Sequence, residues 1–158
     1  MKELAAYLND HLAGSVTAIE LLDHLIKTHE GKPLGNFFQA LRNDVRADQE
    51  VLKKLLQRFS KESALRKAGG WLAEKFGRVK LTGAGEEMGE LGLVQALEML
   101  VLGITGKQLL WRALSASLGD SPLLRGADLG KLEERAIDQI ERVETKRLEA
   151  ARATFLKK

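Results

Sequence analysis

Three carboxylates stand where apolar residues would be expected. Asp48 interrupts a run of Leu34, Phe38, Leu41, Val45, Leu52, Leu55 and Phe59, and Glu98 interrupts Met88, Leu91, Leu102 and Leu109. Glu144 lies one turn before Arg147, which interrupts Ala136, Ile140, Val143 and Ala150. A fourth run, Ala5, Leu8, Leu12, Ile19, Leu22 and Ile26, is broken by Ser15. Steps of four and three keep such positions on the buried face of a packed helix. A charge there is costly unless it is paired, hydrogen-bonded or bound to a metal. Two chemistries follow. The oxygens of Asp48, Glu98 and Glu144, completed by water, could hold one hard cation. Alternatively, Arg147 bridges Glu98 and Glu144 while Ser15 hydrogen-bonds Asp48, a buried ion-pair layer that fixes register. Three acids against one arginine leave two negative charges, which a cation or a raised carboxylate pKa would relieve.

Other chemistry-bearing residues are sparse. There is no cysteine, which excludes disulfides, thiolate metal sites and cysteine nucleophiles. His11 and His29 share a helix face but stand 18 residues apart, about 27 Å along a helix, too far to share a metal. His24 points to the other side. Asp10 and His11 are adjacent and so face different directions. Two glycine-rich strings fail as nucleotide loops. Gly83-Ala84-Gly85-Glu86-Glu87-Met88 lacks a third glycine and follows no strand pattern, and Gly103-Ile104-Thr105-Gly106-Lys107-Gln108 lacks the first glycine and the final Ser/Thr.

Two prolines punctuate the chain, in Glu30-Gly31-Lys32-Pro33 and Gly119-Asp120-Ser121-Pro122. Proline is tolerated at the start of a helix and not inside it, so both mark gaps between helices. The patterning predicts helices at about 3–29, 33–60, 86–118 and 127–156 within one domain spanning 1–158, with a connection over 61–85. That connection holds an expected short helix near 64–76. Its length allows a return along the bundle, giving an all-α fold of two antiparallel hairpins joined by a long crossover. Reflection through the first turn, centred near 31.5, places Ser15 opposite Asp48 and leaves Asp23 about two turns away. Reflection through the second, near 122.5, places Glu98 opposite Arg147. Gly89, Gly92, Gly103 and Gly106 lie inside the third helix, where each costs up to about 1 kcal/mol relative to Ala. They are expected to admit a close neighbour or a second subunit.

In its helix lengths, connection pattern and inward carboxylates, nearly the whole chain resembles the ferritin-like superfamily of four-helix bundles. Metal-binding members place a Glu on each of two helices and Glu-x-x-His on the other two. The resemblance puts Ser15 at the first carboxylate, Asp48-x-x-Val51 at the first Glu-x-x-His, Glu98 at the second carboxylate and Glu144-x-x-Arg147 at the second Glu-x-x-His. One carboxylate and both histidines are therefore replaced, and Arg147 is a permanent cation that repels metal. What the resemblance implies is a bundle that has lost its di-metal site, without redox chemistry or a cofactor, acting in binding or assembly. The alternative is a protein that binds iron or manganese, or oxidises iron, through Asp48, Glu98 and Glu144.

Bulk properties agree with a helical domain. Charged residues make up 30% and aromatics 5%, and the net charge of +3 is too small and interspersed for a dedicated nucleic-acid binder. No signal-peptide core opens the chain and no uninterrupted apolar run reaches about 18 residues, which points to a cytoplasmic setting without a transmembrane segment. The crossover is basic, with Trp71 among Lys75, Arg78 and Lys80. This gives a second alternative: a stress-related binder of an acidic surface, whether partner, nucleic acid or membrane headgroups. Pairing of two copies is also expected from the resemblance.

Overall fold

The computed structural model describes residues 2–62 and 89–156, and four helices pack against one another there with no strand among the described residues. We label them α1 (Lys2–Thr28), α2 (Pro33–Glu62), α3 (Glu90–Leu118) and α4 (Leu129–Phe155), with a 3₁₀ turn at Pro122–Leu124. The expected crossover helix near 64–76, the glycine string at 81–85 and the basic surface of Trp71, Lys75, Arg78 and Lys80 lie outside the described residues.

Several boundaries have a local cause. Glu3 in the first turn of α1 and Lys27 in its last complement the helix dipole. Gly31, at φ +73°, supplies the left-handed residue that ends the helix, and Pro33 opens α2 where no amide donor is needed. In that turn the backbones touch. A Cβ at Gly35 would lie 2.2 Å from the His29 carbonyl oxygen, so only glycine permits the approach. Asp128 caps α4 by accepting from the Lys131 amide at 3.0 Å. Arg58 of α2 donates to the carbonyls of Leu123 and Arg125 at 3.2 and 2.6 Å, tying the end of α2 to the α3–α4 loop.

Two apolar clusters fill the bundle. One gathers Leu22 and Leu25, Phe38 and Leu41, Leu97 and Leu100, with Val143. The other gathers Leu8, Leu55 and Phe59, Trp111 and Leu114, with Leu132. Followed along the chain, α1 and α4 run from the second cluster to the first, whereas α2 and α3 both run from the first to the second. α2 therefore ends at one end of the bundle and α3 begins at the other. The helices are closest within each pair, α1 on α2 and α3 on α4, and the two pairs stand further apart.

The inward face of α3 differs from the expected one. Leu91, Leu102 and Leu109 are exposed (52, 71 and 52%), while Leu97, Leu100, Ile104, Trp111 and Leu114 are buried. The reason is that α3 is apolar nearly all round. It carries an 18-residue window of mean hydropathy 1.3, enough by length and composition alone to cross a membrane, so periodicity does not choose its buried side. Packing chooses it, by seating the large Trp111 in the core.

Candidate functional site

Every helix carries a polar interruption on its inward side. On α2 the sequence of inward positions is Phe38, Leu41, Val45, Asp48, Leu52, Leu55 and Phe59. α3 runs Leu97, Leu100, Ile104, Lys107, Trp111 and Leu114, and α4 runs Leu129, Leu132, Ala136, Gln139 and Val143. On α1, half-buried Ser15 lies a heptad from both Leu8 and Leu22. Each seam thus has one polar residue near its middle, and in space these residues form a layer between the two apolar clusters.

Asp48 is the centre of that layer, with its side chain fully buried. Lys107 Nζ donates to its Oδ2 at 2.6 Å, and Gln139 Nε2 donates to the same oxygen at 3.1 Å. Lys107 also donates to Gln139 Oε1, closing a triangle. Arg135 Nη2 approaches Asp48 Oδ1 to 3.0 Å as an ion pair, without the alignment of a hydrogen bond. One carboxylate therefore faces two cations. Burial holds the Lys107 ammonium below its ordinary pKa, and the neighbouring Asp48 carboxylate opposes that shift. Beside this triangle, Gln49 Nε2 donates to Ser15 Oγ at 2.9 Å, and Ser15 in turn donates to the Leu12 carbonyl at 2.6 Å.

The expected partners are accordingly redistributed. Ser15 meets Gln49 rather than Asp48, because reflection through a turn fixes the level along the axis but not which of two adjacent residues, about 100° apart, points across. Arg147 does pair with Glu98 at 3.2 Å and with Glu144 at 2.6 Å. This group is not buried, however: side-chain exposures are 24, 50 and 37% for Arg147, Glu98 and Glu144, because α3 turns Glu98 outward together with Leu91 and Leu102. Its place in the core is taken by Lys107 and Gln139. Asp23 stays outside the layer, paired with Arg42.

The three expected carboxylates are not gathered. Asp48 is engaged by Lys107, Gln139 and Arg135, while Glu98 and Glu144 share Arg147. A cation already stands where a metal would have to stand, so the layer does not fit a di-metal centre. Among the described residues no group of three or more histidines and acids is placed to hold one metal ion.

At the level of the layer, between α1 and α3, lies a cavity of about 410 Å³, within the usual range of small-molecule sites. Its α1 wall includes Tyr7, His11 and Gly14; α2 contributes Asp48 and Gln49. The α3 wall has Gly103, Gly106, Lys107 and Trp111. Glycine explains the space: a Cβ added at Gly14, Gly103 or Gly106 would meet no described atom within 4 Å. Gly103 and Gly106 thus border a gap rather than a close neighbour among the described residues. The close helix approach occurs at Gly35 instead. Burial keeps His11 below its ordinary pKa, with Asp10 opposing, and its ring packs edge-on against Tyr7 at 4.6 Å. Trp111 is buried, yet its indole N–H has no acceptor among the described residues.

The site offers hydrogen-bond donors beside an apolar space. Ser15 is not poised as a nucleophile, since its hydroxyl proton goes to a backbone carbonyl. Lys107, Gln49, Gln139, Arg135 and Trp111 are absent from the expected layer. The spacing of Lys107 with Leu97, Leu100, Ile104, Trp111 and Leu114 is the sequence signal that identifies it, though its place in a Gly-Lys string suggests a nucleotide loop instead. No protein-family model, curated protein or solved structure matches the chain. The fold and site define it as an all-α protein of four packed helices, with a charged layer and a cavity between its hairpins.

Proposed function

We propose that the chain is a non-catalytic four-helix bundle of ferritin-like arrangement, with an ion-pair layer in place of a di-metal site and a binding or assembly role. The observation carrying this reading is the cavity of about 410 Å³ lying directly on the Asp48–Lys107–Gln139 triangle. A layer whose carboxylate is already satisfied by cations supports binding better than metal chemistry. α2 and α3 running in the same direction supports the ferritin-like arrangement. The assembly part rests on Leu91, Leu102 and Leu109, exposed along α3.

Titration calorimetry with decanol, a neutral apolar probe, tests the binding role. One site per chain is expected, with affinity lowered at least tenfold in Gly106→Leu, whose new side chain would enter the cavity. Unchanged affinity in that variant would place binding elsewhere. Stoichiometric iron or manganese in untagged protein purified without chelator would overturn the reading in favour of metal binding by the residual carboxylates. Sedimentation as a strict monomer would remove the assembly part.

A further inference from the structure

The outward side of α3 carries a second seam that the bundle leaves open. Gln95, Met99, Leu102, Gly106, Leu109 and Ala113 follow one another in alternating steps of four and three, and all but half-buried Gly106 are exposed. This is the spacing against which another helix packs. With Leu91 at one end, the exposed leucines and methionine form one continuous band, the kind of exposure that marks an interaction surface.

The residue types along the seam favour a second copy of it, running the opposite way. About a two-fold axis level with Ile104, such a pairing sets Leu102 on Gly106, Met99 on Leu109 and Gln95 on Ala113. Large residues meet smaller ones at two of these three levels. A Cβ on Gly106 would meet no described atom within 4 Å, so an incoming leucine has room there. A parallel pairing would set Gly106 on Gly106 between layers of paired leucines and leave a gap, which close packing disfavours.

Charge selects the same direction. On the α4 side of the seam stand Glu98 and Arg112, both exposed. They occupy the flanking positions whose ion pairs set the partner and orientation of packed helices. In the antiparallel pair, Glu98 of each copy comes within about 3 Å, along the axis, of the level of Arg112 in the other. Arg112 donates from Nε and Nη2 to Glu133, and Glu98 accepts from Arg147 at Oε1. Arg112 Nη1 and Glu98 Oε2 have no hydrogen-bond partner among the described residues, so each retains capacity for a further contact. A parallel pair would place Glu98 beside Gly103 and Arg112 beside Ser117, with no charge to answer either.

Size sets the strength. From Leu91 to Ala116 the band is about 37 Å long and a helix is about 10–12 Å across. That gives roughly 400 Å² on each copy before the charged flank is added, at the small end of specific interfaces. The pairing is therefore reversible, of micromolar affinity or weaker. A bilayer fits the band less well, since its flank carries an acid as well as a base, unlike the basic flank of an interfacial helix.

We propose that two copies of the chain pair through the outward face of α3, antiparallel about a two-fold axis level with Ile104, with Leu102 seated over Gly106 and Glu98 joined to Arg112 across the axis. The proposal rests on the assembly part of the reading above and adds the partner, its direction and the charges that select it.

The chain has no cysteine, so introduced thiols report the pairing directly. In the antiparallel pair, position 99 is level with position 109 of the other copy. Two copies of position 99, or of position 109, are offset by about 15 Å, beyond the roughly 7 Å that a disulfide spans. Met99→Cys mixed with Leu109→Cys should cross-link at least tenfold faster under mild oxidation than either variant alone. Sedimentation of the unaltered chain over a concentration series should show a reversible dimer, and Leu102→Glu should hold it monomeric. Glu98→Arg and Arg112→Glu each bring like charges together, so each should dimerise several-fold more weakly. Mixed in equal amounts they restore both ion pairs, and dimerisation should recover. If each cysteine variant cross-links alone as fast as in the mixture, or the charge variants stay weak when mixed, the antiparallel proposal fails while the assembly reading stands. A dimer that Leu102→Glu leaves unchanged uses another face and overturns the proposal. A chain that stays monomeric at millimolar concentration overturns both. In that case a lower melting temperature in Leu102→Glu would show the band covered within the chain, and flotation with phosphatidylcholine vesicles would show it covered by a bilayer.

Discussion

Asp48→Leu is the sharpest perturbation of the layer. Its carboxylate is fully buried and holds Lys107 at 2.6 Å, Gln139 at 3.1 Å and Arg135 at 3.0 Å. Breaking a buried pair by removing one partner typically costs about 3–5 kcal/mol, mostly because the remaining charge stays unpaired. Here the abandoned cations have some relief. The Lys107 side chain is 16% exposed and lines the cavity, and that of Arg135 is 37% exposed and can turn toward water. We therefore expect the low end, about 3 kcal/mol. For a chain of this length each kcal/mol moves the melting temperature by about 2–4 °C, so the variant should melt roughly 6–12 °C lower. Lys107→Met alone should cost less, since Asp48 keeps Arg135 and Gln139. The double variant Asp48→Leu/Lys107→Met replaces the pair by apolar side chains, which is often neutral or stabilising. It should regain only part of the loss, because the buried Gln139 amide loses both of its partners, yet the coupling should stand well above the few tenths expected of independent sites. Urea unfolding monitored by circular dichroism, with equal slopes for the four proteins, measures the cycle. Additive single effects, or a loss below about 1 kcal/mol for Asp48→Leu, would refute the assignment of Asp48 as the centre of a buried charged layer.

Arg147→Leu should leave the melting temperature within experimental scatter, because its partners Glu98 and Glu144 are water-exposed and can rehydrate; a large loss would mean that this group is buried after all. Gly106→Ala should stabilise by about 0.5–1 kcal/mol, since its Cβ enters open space, whereas Gly35→Ala should destabilise by more than about 1 kcal/mol against the His29 carbonyl. Chemical unfolding of the pair decides, and equal effects would contradict the packing described. Burial keeps His11 and His29 below their ordinary value of 6.5, helped at His29 by Lys32 and opposed at His11 by Asp10. As pH falls through 6.5 the unfolded chain takes up protons first, so stability is lost from there down to the folded-state pKa values and levels off below them. His11→Gln/His29→Gln should flatten that part of the stability–pH curve, and an unchanged slope between pH 7.5 and 5 would show that other groups carry it.

Much of the architecture is legible in the amino-acid sequence. Pro33 after Gly31, and Pro122 after Asp120-Ser121, set the turns, and the strong amphipathicity of α2 marks its buried face down to Asp48. The pattern of one polar residue near the middle of each seam also holds in the folded chain, but two of its occupants change. α3 offers two apolar stripes, one through Leu91, Leu102 and Leu109 and one through Leu97, Ile104 and Trp111. Sequence periodicity cannot rank them, and choosing the wrong stripe puts Glu98 in the place of Lys107.

The sequence by itself determined the order of the four helices and the two proline turns, that their buried faces are interrupted by polar groups, and that Arg147 meets Glu98 across the second turn, while α3 starts at Glu90, with Gly89 before it rather than inside the helix. These depend on local backbone preferences and on distance counted along the chain. The rotation of α3 was decided only by tertiary packing, where seating Trp111 in the core brings Lys107 inward to Asp48 and carries Glu98 out to water. The same packing sets the distance between hairpins. That distance, with Gly103 and Gly106 lining it, leaves the cavity, because a void is the property of surfaces that fail to touch and no single helix specifies it.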